Sequence, residues 1–243
     1  MINLVDLIYA VQHEQNADLR RSEDLKFIGE CLSNAADTKS QNYQDVFVLR
    51  ETNFKKNGYF VEFGATDGIT ISNTALLEKT YGWKGIVAEP NPVYHERLHA
   101  NRVCDISDMC VYSTSGDTLE FVSAPSPDLS TIKGFGENDE HAHIRSDGSS
   151  IQVKTISLVD LLDKYNAPNN IDYLSIDTEG SEYVILDAFF KSPKDYQFRI
   201  ITVEHNYVPE MMNKLVELLT GQGYKLKFPG MSRCDYFFVK DIE

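Results

Sequence analysis

Apolar residues along the chain fall into short runs that alternate with segments where apolar positions recur every three or four residues. The runs at 59–63, 85–89, 171–176 and 198–203 are nearly continuous, as in strands buried on both faces. Further strand signals lie at 109–112, 118–123 and 151–156. Helical spacing is read at 44–54, from Ser72 through Leu76, Leu77 and Tyr81, and at 158–165, 182–190 and 209–219. Asn91-Pro92 has the chemistry of a helix start, a capping side chain followed by a residue that needs no amide donor, and predicts a helix to about Asn101. Ser157 with Asp160 gives the same kind of signal. The last two runs, 224–228 and 236–239, have no helix between them and predict an antiparallel hairpin at a sheet edge. The alternation predicts an α/β fold, a largely parallel sheet with helices on both faces.

Two segments stand outside this pattern. Residues 1–39 read as a polar helical extension, with a charged run from Asp18 to Lys26, ahead of a domain at 40–243. Within it, Met1 to Val11 predicts an amphipathic helix that packs on the body or on a partner. That stretch is too short to span a bilayer and has no basic leader. Residues 124–150 are rich in Ser, Pro, Asp, Gly and His without a sustained period, which predicts a lid or a disordered insert.

Composition narrows the picture. The chain has 243 residues, 42% of them hydrophobic, enough for one globular domain. With 23 basic and 37 acidic residues the net charge is −14, which repels phosphate backbones and anionic membranes. Nucleic acid is therefore not the expected substrate, and a neutral acceptor such as a sugar hydroxyl suits the balance better. Cys31, Cys104, Cys110 and Cys234 form no C-x-x-C pair and no zinc-finger spacing, so reduced thiols and a cytoplasmic location are expected.

In an open α/β sheet, ligands bind outside the carboxyl ends of the strands. The first strand ends in Glu62-Phe63-Gly64-Ala65-Thr66-Asp67-Gly68. Gly64 and Gly68 permit a tight turn and close approach to a ligand, or simply shape the turn. Thr66 stands where the dinucleotide fingerprint needs its second glycine, and Glu62 and Asp67 would repel a diphosphate but attract a cationic ligand. Glu89 ends the second strand, where an acid can accept both hydroxyls of a ribose or simply open the next helix. Asp177-Thr178-Glu179-Gly180-Ser181-Glu182 and Glu204-His205-Asn206 end two further strands. Asp177, Glu204 and His205 converge there either as ligands of a divalent ion or as a His205 base oriented by a carboxylate. Glu182 is read as a solvated helix-start acid. Glu179 has the same reading open to it, and His141 and His143 are read as solvated.

These stretches resemble the FkbM-type methyltransferases. The resemblance runs from about Ser40 to Val239. It is carried by Ser40-Gln41-Asn42-Tyr43-Gln44-Asp45, by Gly58 through Ala65 with Asp67-Gly68, and by Ser72-Asn73-Thr74. Gly82-Trp83-Lys84-Gly85 leading to Glu89-Pro90, and the run Ile176 to Glu182, complete it. The family often has Lys where Ser175 stands and Gly where Tyr43 stands.

The resemblance implies a Rossmann-like class I methyltransferase fold, a mostly parallel seven-stranded sheet with a C-terminal antiparallel hairpin. It implies S-adenosylmethionine as cofactor, with Glu62, Gly64 and Asp67 at its methionine end, Glu89 at the ribose, and Ala65, Gly68, Asn73, Pro90 and Asp177 also among the cofactor-binding residues. Gln41 and Asp45 would close over the site. Asp177, Glu204 and His205 would sit by the acceptor as catalytic groups, with Mg or Mn as their ion. The activity implied is O-methyl transfer to a hydroxyl of a sugar or surface polysaccharide. A Rossmann-type oxidoreductase is the alternative enzyme class, and a non-catalytic partner of a glycosyltransferase is the alternative outside enzymes. Expected partners are a glycan acceptor, further copies of the chain, or glycan-building enzymes docked through the N-terminal helix, with no membrane span.

Overall fold

The structure, a computed structural model, describes residues 23–137 and 139–241. The reading of Met1 to Val11 lies outside them. The chain divides into two compact units, Met1–Thr38 and Lys39–Glu243. In the first, helix α1 (Glu23–Asn34) carries acids in its first turn, where the helix dipole favours them, and buries Phe27.

The second unit is built on a seven-stranded sheet of order β3-β2-β1-β8-β9-β11-β10. The strands are β1 (Tyr59–Phe63), β2 (Lys84–Ala88), β3 (Asp105–Ser107), β8 (Asn170–Ile176), β9 (Gln197–Glu204), β10 (Lys225–Lys227) and β11 (Asp235–Val239). The first five are mutually parallel, while β11 runs antiparallel to both β9 and β10. The expected hairpin therefore forms, with its second strand inserted between the first and the body of the sheet. One face carries Val61, Ile86, Leu174 and Ile201 against helices α6 (Leu158–Lys164), α7 (Glu182–Lys191) and α8 (Pro209–Gly221). On the opposite side Phe47 of helix α2 (Gln44–Glu51) stacks on Phe237 with ring centroids 4.7 Å apart. Cover on both faces is why these strands are apolar throughout.

Both capping signals are realised. The Asn91 side chain accepts from the Val93 amide at the start of α4 (Pro92–Asn101), and the Ser157 side chain accepts from the Asp160 amide at the start of α6. Helix α3 (Ala75–Tyr81) begins three residues later than the spacing from Ser72 suggests, because Ser72, Asn73 and Thr74 are bound to Glu62.

The strand read at 109–112 forms, but in a second sheet. The edge position of the main sheet belongs to Asp105–Ser107, too short and polar to register as an apolar run, and β4 (Cys110–Tyr112) leaves to join the second one. That sheet has the order β4-β7-β5-β6, with β5 (Thr118–Ser123), β6 (Thr131–Ile132) and β7 (Ser149–Ser157). One expectation is corrected: the segment 124–150 is an ordered excursion between two paired strands. It contains β6, which pairs back on β5, and the short helix α5 (Ala142–Arg145). Among the described residues, no helix is long and apolar enough to cross a membrane.

Candidate functional site

The sheet reverses its order of filling at β1, with β2 and β3 to one side and β8 and β9 to the other. A crevice opens at the carboxyl ends where such an order reverses. Gly64, Thr66, Glu89, Pro90 and Asp177 line it, with Glu179 and Ser181 following on the loop after β8. Phe121 and Ile132 of the second sheet close its far wall.

Glu89 projects into this crevice under tight control. Its Oε2 accepts from the Thr66 amide at 3.0 Å and its Oε1 from the Asn91 amide at 2.8 Å. Burial pushes its carboxyl up to about 7 against the opposing pull of the two amides. The β1–α3 loop is fastened to the same strand, since the amides of Gly64 and Ala65 donate to the Ala88 carbonyl.

The remaining acids of this loop are held by protein groups. Glu62 accepts from the Ser72 and Thr74 hydroxyls and the Asn73 amide, and pairs with Arg102 at 3.3 Å. Arg102 was not singled out from the sequence. Its guanidinium is fully buried and also serves Glu78, Gly68, Ser72 and Thr74, over the ring of Phe60. A single Arg after a helix gives no sequence signal of such a node. Asp67 turns back on its own loop and accepts from the amides of Ile69 and Thr70. Asn73 donates to Ser175, the position where family members often have Lys, and its Oδ1 is buried without a partner among the described residues. Asp45 is fully buried and binds the Ser40 hydroxyl and the Val46 amide, while Gln41 is exposed. Neither Gln41 nor Asp45 lines the crevice.

At the ends of β8 and β9 the carboxyl oxygens of Asp177, Glu179 and Glu204 lie within 4.8 Å of one another. Burial raises Asp177 and Glu204 well above the usual carboxylate range, and their neighbouring negative charges raise them further. Burial raises Glu179 to about 7 against the opposing pull of Arg145. The Asn206 amide binds two of the three, donating to Glu179 at 3.0 Å and Glu204 at 2.8 Å. Arg145, from the excursion, pairs with Glu179 and with Asp139. Neither Arg145 nor Asn206 is marked by any periodicity.

The structure brings Asp177 and Glu204 together as expected, but Glu179 stands in the place foreseen for His205. The His205 ring packs on Tyr236, with centroids 4.3 Å apart, and lies outside the carboxylate group. Its Nδ1 accepts from the Tyr207 amide at 3.1 Å, so the neutral ring carries its proton on Nε2 and presents a donor, not a base. Burial lowers its pKa, in keeping with a neutral ring. Glu182 is also corrected: it is 1% exposed, and its Oε1 accepts from the amides of Thr178 and Gly180.

The fold is thus an open α/β sheet with a buried acid, Glu89, at the end of its second strand and an acidic crevice at its switch point. A family model, the methyltransferase FkbM domain, matches residues 62–226, and the chain belongs to that family. That family is one of S-adenosylmethionine-dependent methyltransferases. The chain is similar to several solved structures. A methyltransferase FkbM from Methylobacillus flagellatus KT is 12% identical, over 91% of this chain and 59% of that one, with a TM-score of 0.45. An O-methyltransferase from Bacillus cereus in complex with SAH is 12% identical, over 96% of each chain, with a TM-score of 0.41. A precorrin-6y C5,15-methyltransferase from Geobacter metallireducens GS-15 is 12% identical, over 80% of this chain and 85% of that one, with a TM-score of 0.41. The comparison with curated proteins gives no match.

Proposed function

We propose that this protein is an O-methyltransferase that methylates a hydroxyl of a sugar in a surface polysaccharide or similar glycan. The observation that carries the reading is the excess of acid in and beside the crevice, with Glu89, Glu179 and Glu204 buried and Asp177 half-buried. Asp177, Glu179, Glu204 and Glu89 all have raised pKa values, and among the described residues only Arg145 forms an ion pair with any of them. Such a site gains by receiving positive charge, and S-adenosylmethionine brings both a sulfonium and an ammonium. Glu89 would hold the ribose hydroxyls, with Gly64 and Thr66 along the loop and Asp177 toward the methionine end. When bound, the cofactor supplies an electrophilic methyl group.

The protein's own part is alignment and proton removal. The Asp177–Glu204 pair is the group suited to take the hydroxyl proton, since raised carboxyls are stronger bases than free ones. His205 Nε2 would donate a hydrogen bond and orient the acceptor. The three-carboxylate group is an all-oxygen donor set and suits Mg or Mn. Such an ion, when bound, lowers the pKa of a hydroxyl. A cytoplasmic location, the division at residue 39 and docking of residues 1–39 to glycan-building enzymes or to further copies of the chain belong to the same proposal.

Calorimetric titration with S-adenosylhomocysteine and with NAD, followed by methyl transfer to a glycan panel with and without chelator, tests it. Micromolar binding of the former alone and chelator-sensitive transfer to a sugar hydroxyl are expected. Binding of NAD, or transfer to no hydroxyl, would overturn the reading. Full turnover in chelator would remove the ion and leave the carboxylate pair as the base.

A further inference from the structure

A second cleft opens on the other side of the 177–182 loop. Glu182, His205 and Asn206 form its inner end. Asn206 is the amide that binds Glu179 and Glu204, so this cleft ends on the acidic cluster that borders the cofactor crevice. Phe135, Tyr183 and Met211 supply apolar faces to its walls.

Its charges leave an acidic excess, which disfavours an anionic occupant. Asp139 is held by Arg145 at 2.7 Å, and Glu210 by Lys214 at 2.7 Å. Lys214, the cleft's own lysine, pairs with Glu210 at the exposed rim, where the two charges offset each other, and lies over the Tyr183 ring, 5.6 Å from its centroid. Glu137 and Glu182 have no ion-pair partner among the described residues, which leaves the walls with an acidic excess.

Helix N-termini are the usual cradles for phosphate. Two helices begin at this cleft, and each already carries a carboxylate in its first turn. In α7 it is Glu182, whose Oε1 takes the Thr178 and Gly180 amides, and in α8 it is Glu210. At α7 a diphosphate would find the loop amides already taken by Glu182, and at α8 it would meet the negative charge of Glu210.

We propose that this cleft takes the acceptor as a sugar already in glycosidic linkage and bearing no phosphate. Methylation then follows glycosyl transfer and does not act on a nucleoside-diphosphate sugar. The inference rests on the O-methyl reading above. Aromatic and thioether surface suits the C–H face of a sugar ring, and His205 and Asn206 suit its hydroxyls. The reaction that supplies the substrate is therefore a glycosyl transfer.

The test is methyl transfer from labelled S-adenosylmethionine to matched acceptors, each sugar offered as its methyl glycoside, as an oligosaccharide and as its nucleoside diphosphate, at low and moderate salt. The neutral glycosides should exceed the nucleotide forms at least tenfold in kcat/KM. The double variant Glu137→Lys, Glu210→Lys should narrow that ratio at least threefold at low salt. Transfer to the nucleotide sugars at equal or greater efficiency, or a ratio unmoved by charge reversal, would overturn the inference and leave the O-methyl reading standing. S-adenosylhomocysteine binding with no transfer to any hydroxyl would overturn both.

Discussion

Gly64 and Asp177 pack so closely that a Cβ on Gly64 would stand 1.9 Å from the Asp177 carbonyl oxygen. The contact joins the ends of two neighbouring parallel strands, and Gly64 also has φ +76°, where a side chain is strained. No flexible atom can yield, because the obstacle is backbone. Gly64→Ala should therefore cost roughly 3 kcal/mol or more, overpacking added to left-handed strain, and should abolish cofactor binding. Urea unfolding and calorimetry measure the two effects. A loss under about 1 kcal/mol would show that the strand ends can part.

Glu89 should give stability a pH dependence of unusual sign for a carboxylate. Burial raises it from 4.5 to about 7, so between those values the folded chain holds a proton that the unfolded chain has released. Stability is therefore greatest below the unfolded value and falls as pH rises toward 7, by about 3 kcal/mol from this group. Asp235, raised by burial to about 6, acts in the same direction. Glu89→Gln should flatten the fall in a stability curve measured from pH 4.5 to 8, and a curve superimposable on that of the wild type would refute the assignment.

Arg145 fastens the excursion to the site. Besides Glu179 and Asp139 it donates to the carbonyls of Leu129 and Gly136. Arg145→Met leaves two acids unpaired and two carbonyls without this donor, a loss of about 3 kcal/mol. Hydrogen exchange should accelerate across 129–148 while β1 and β8 stay protected. Uniform acceleration through the sheet would mean that Arg145 supports the whole fold.

Arg102 should tolerate neither Met nor Lys. Its planar fork reaches Glu62, Glu78 and the Thr74 hydroxyl at once, and an ammonium cannot. Each variant should lose about 3–5 kcal/mol in urea unfolding, because breaking a buried pair leaves the partner charge uncompensated. Recovery of stability by Lys would reduce the node to a single ion pair.

Much of the fold is legible in local pattern. Strand β1 lies where the apolar run places it, and Asn91 and Ser157 cap the helices they precede, since these signals depend only on neighbours in sequence. The short edge strand β3 and the pairing of β6 on β5 are not legible, because a few residues acquire strand geometry only from the strand beside them. Glu182 shows the limit for side chains. An acid at a helix start reads as solvated, yet here the loop folds over it and its own amides replace water.

The sequence by itself determined the layering of sheet and helices, the family, and the acidic strand ends on which the site is built. Apolar periodicity and residue type suffice for those, being properties of short stretches of chain. Only the tertiary structure decided which acids meet. It joined Glu179 to Asp177 and Glu204, turned Glu62 inward onto Arg102, and set His205 aside with its Nδ1 on the Tyr207 amide. The Glu62–Arg102 and Glu179–Asn206 contacts join groups far apart in the chain, while the His205 ring is fixed by an amide that only the local fold turns onto it, and burial raises the pKa values of Asp177, Glu179 and Glu204.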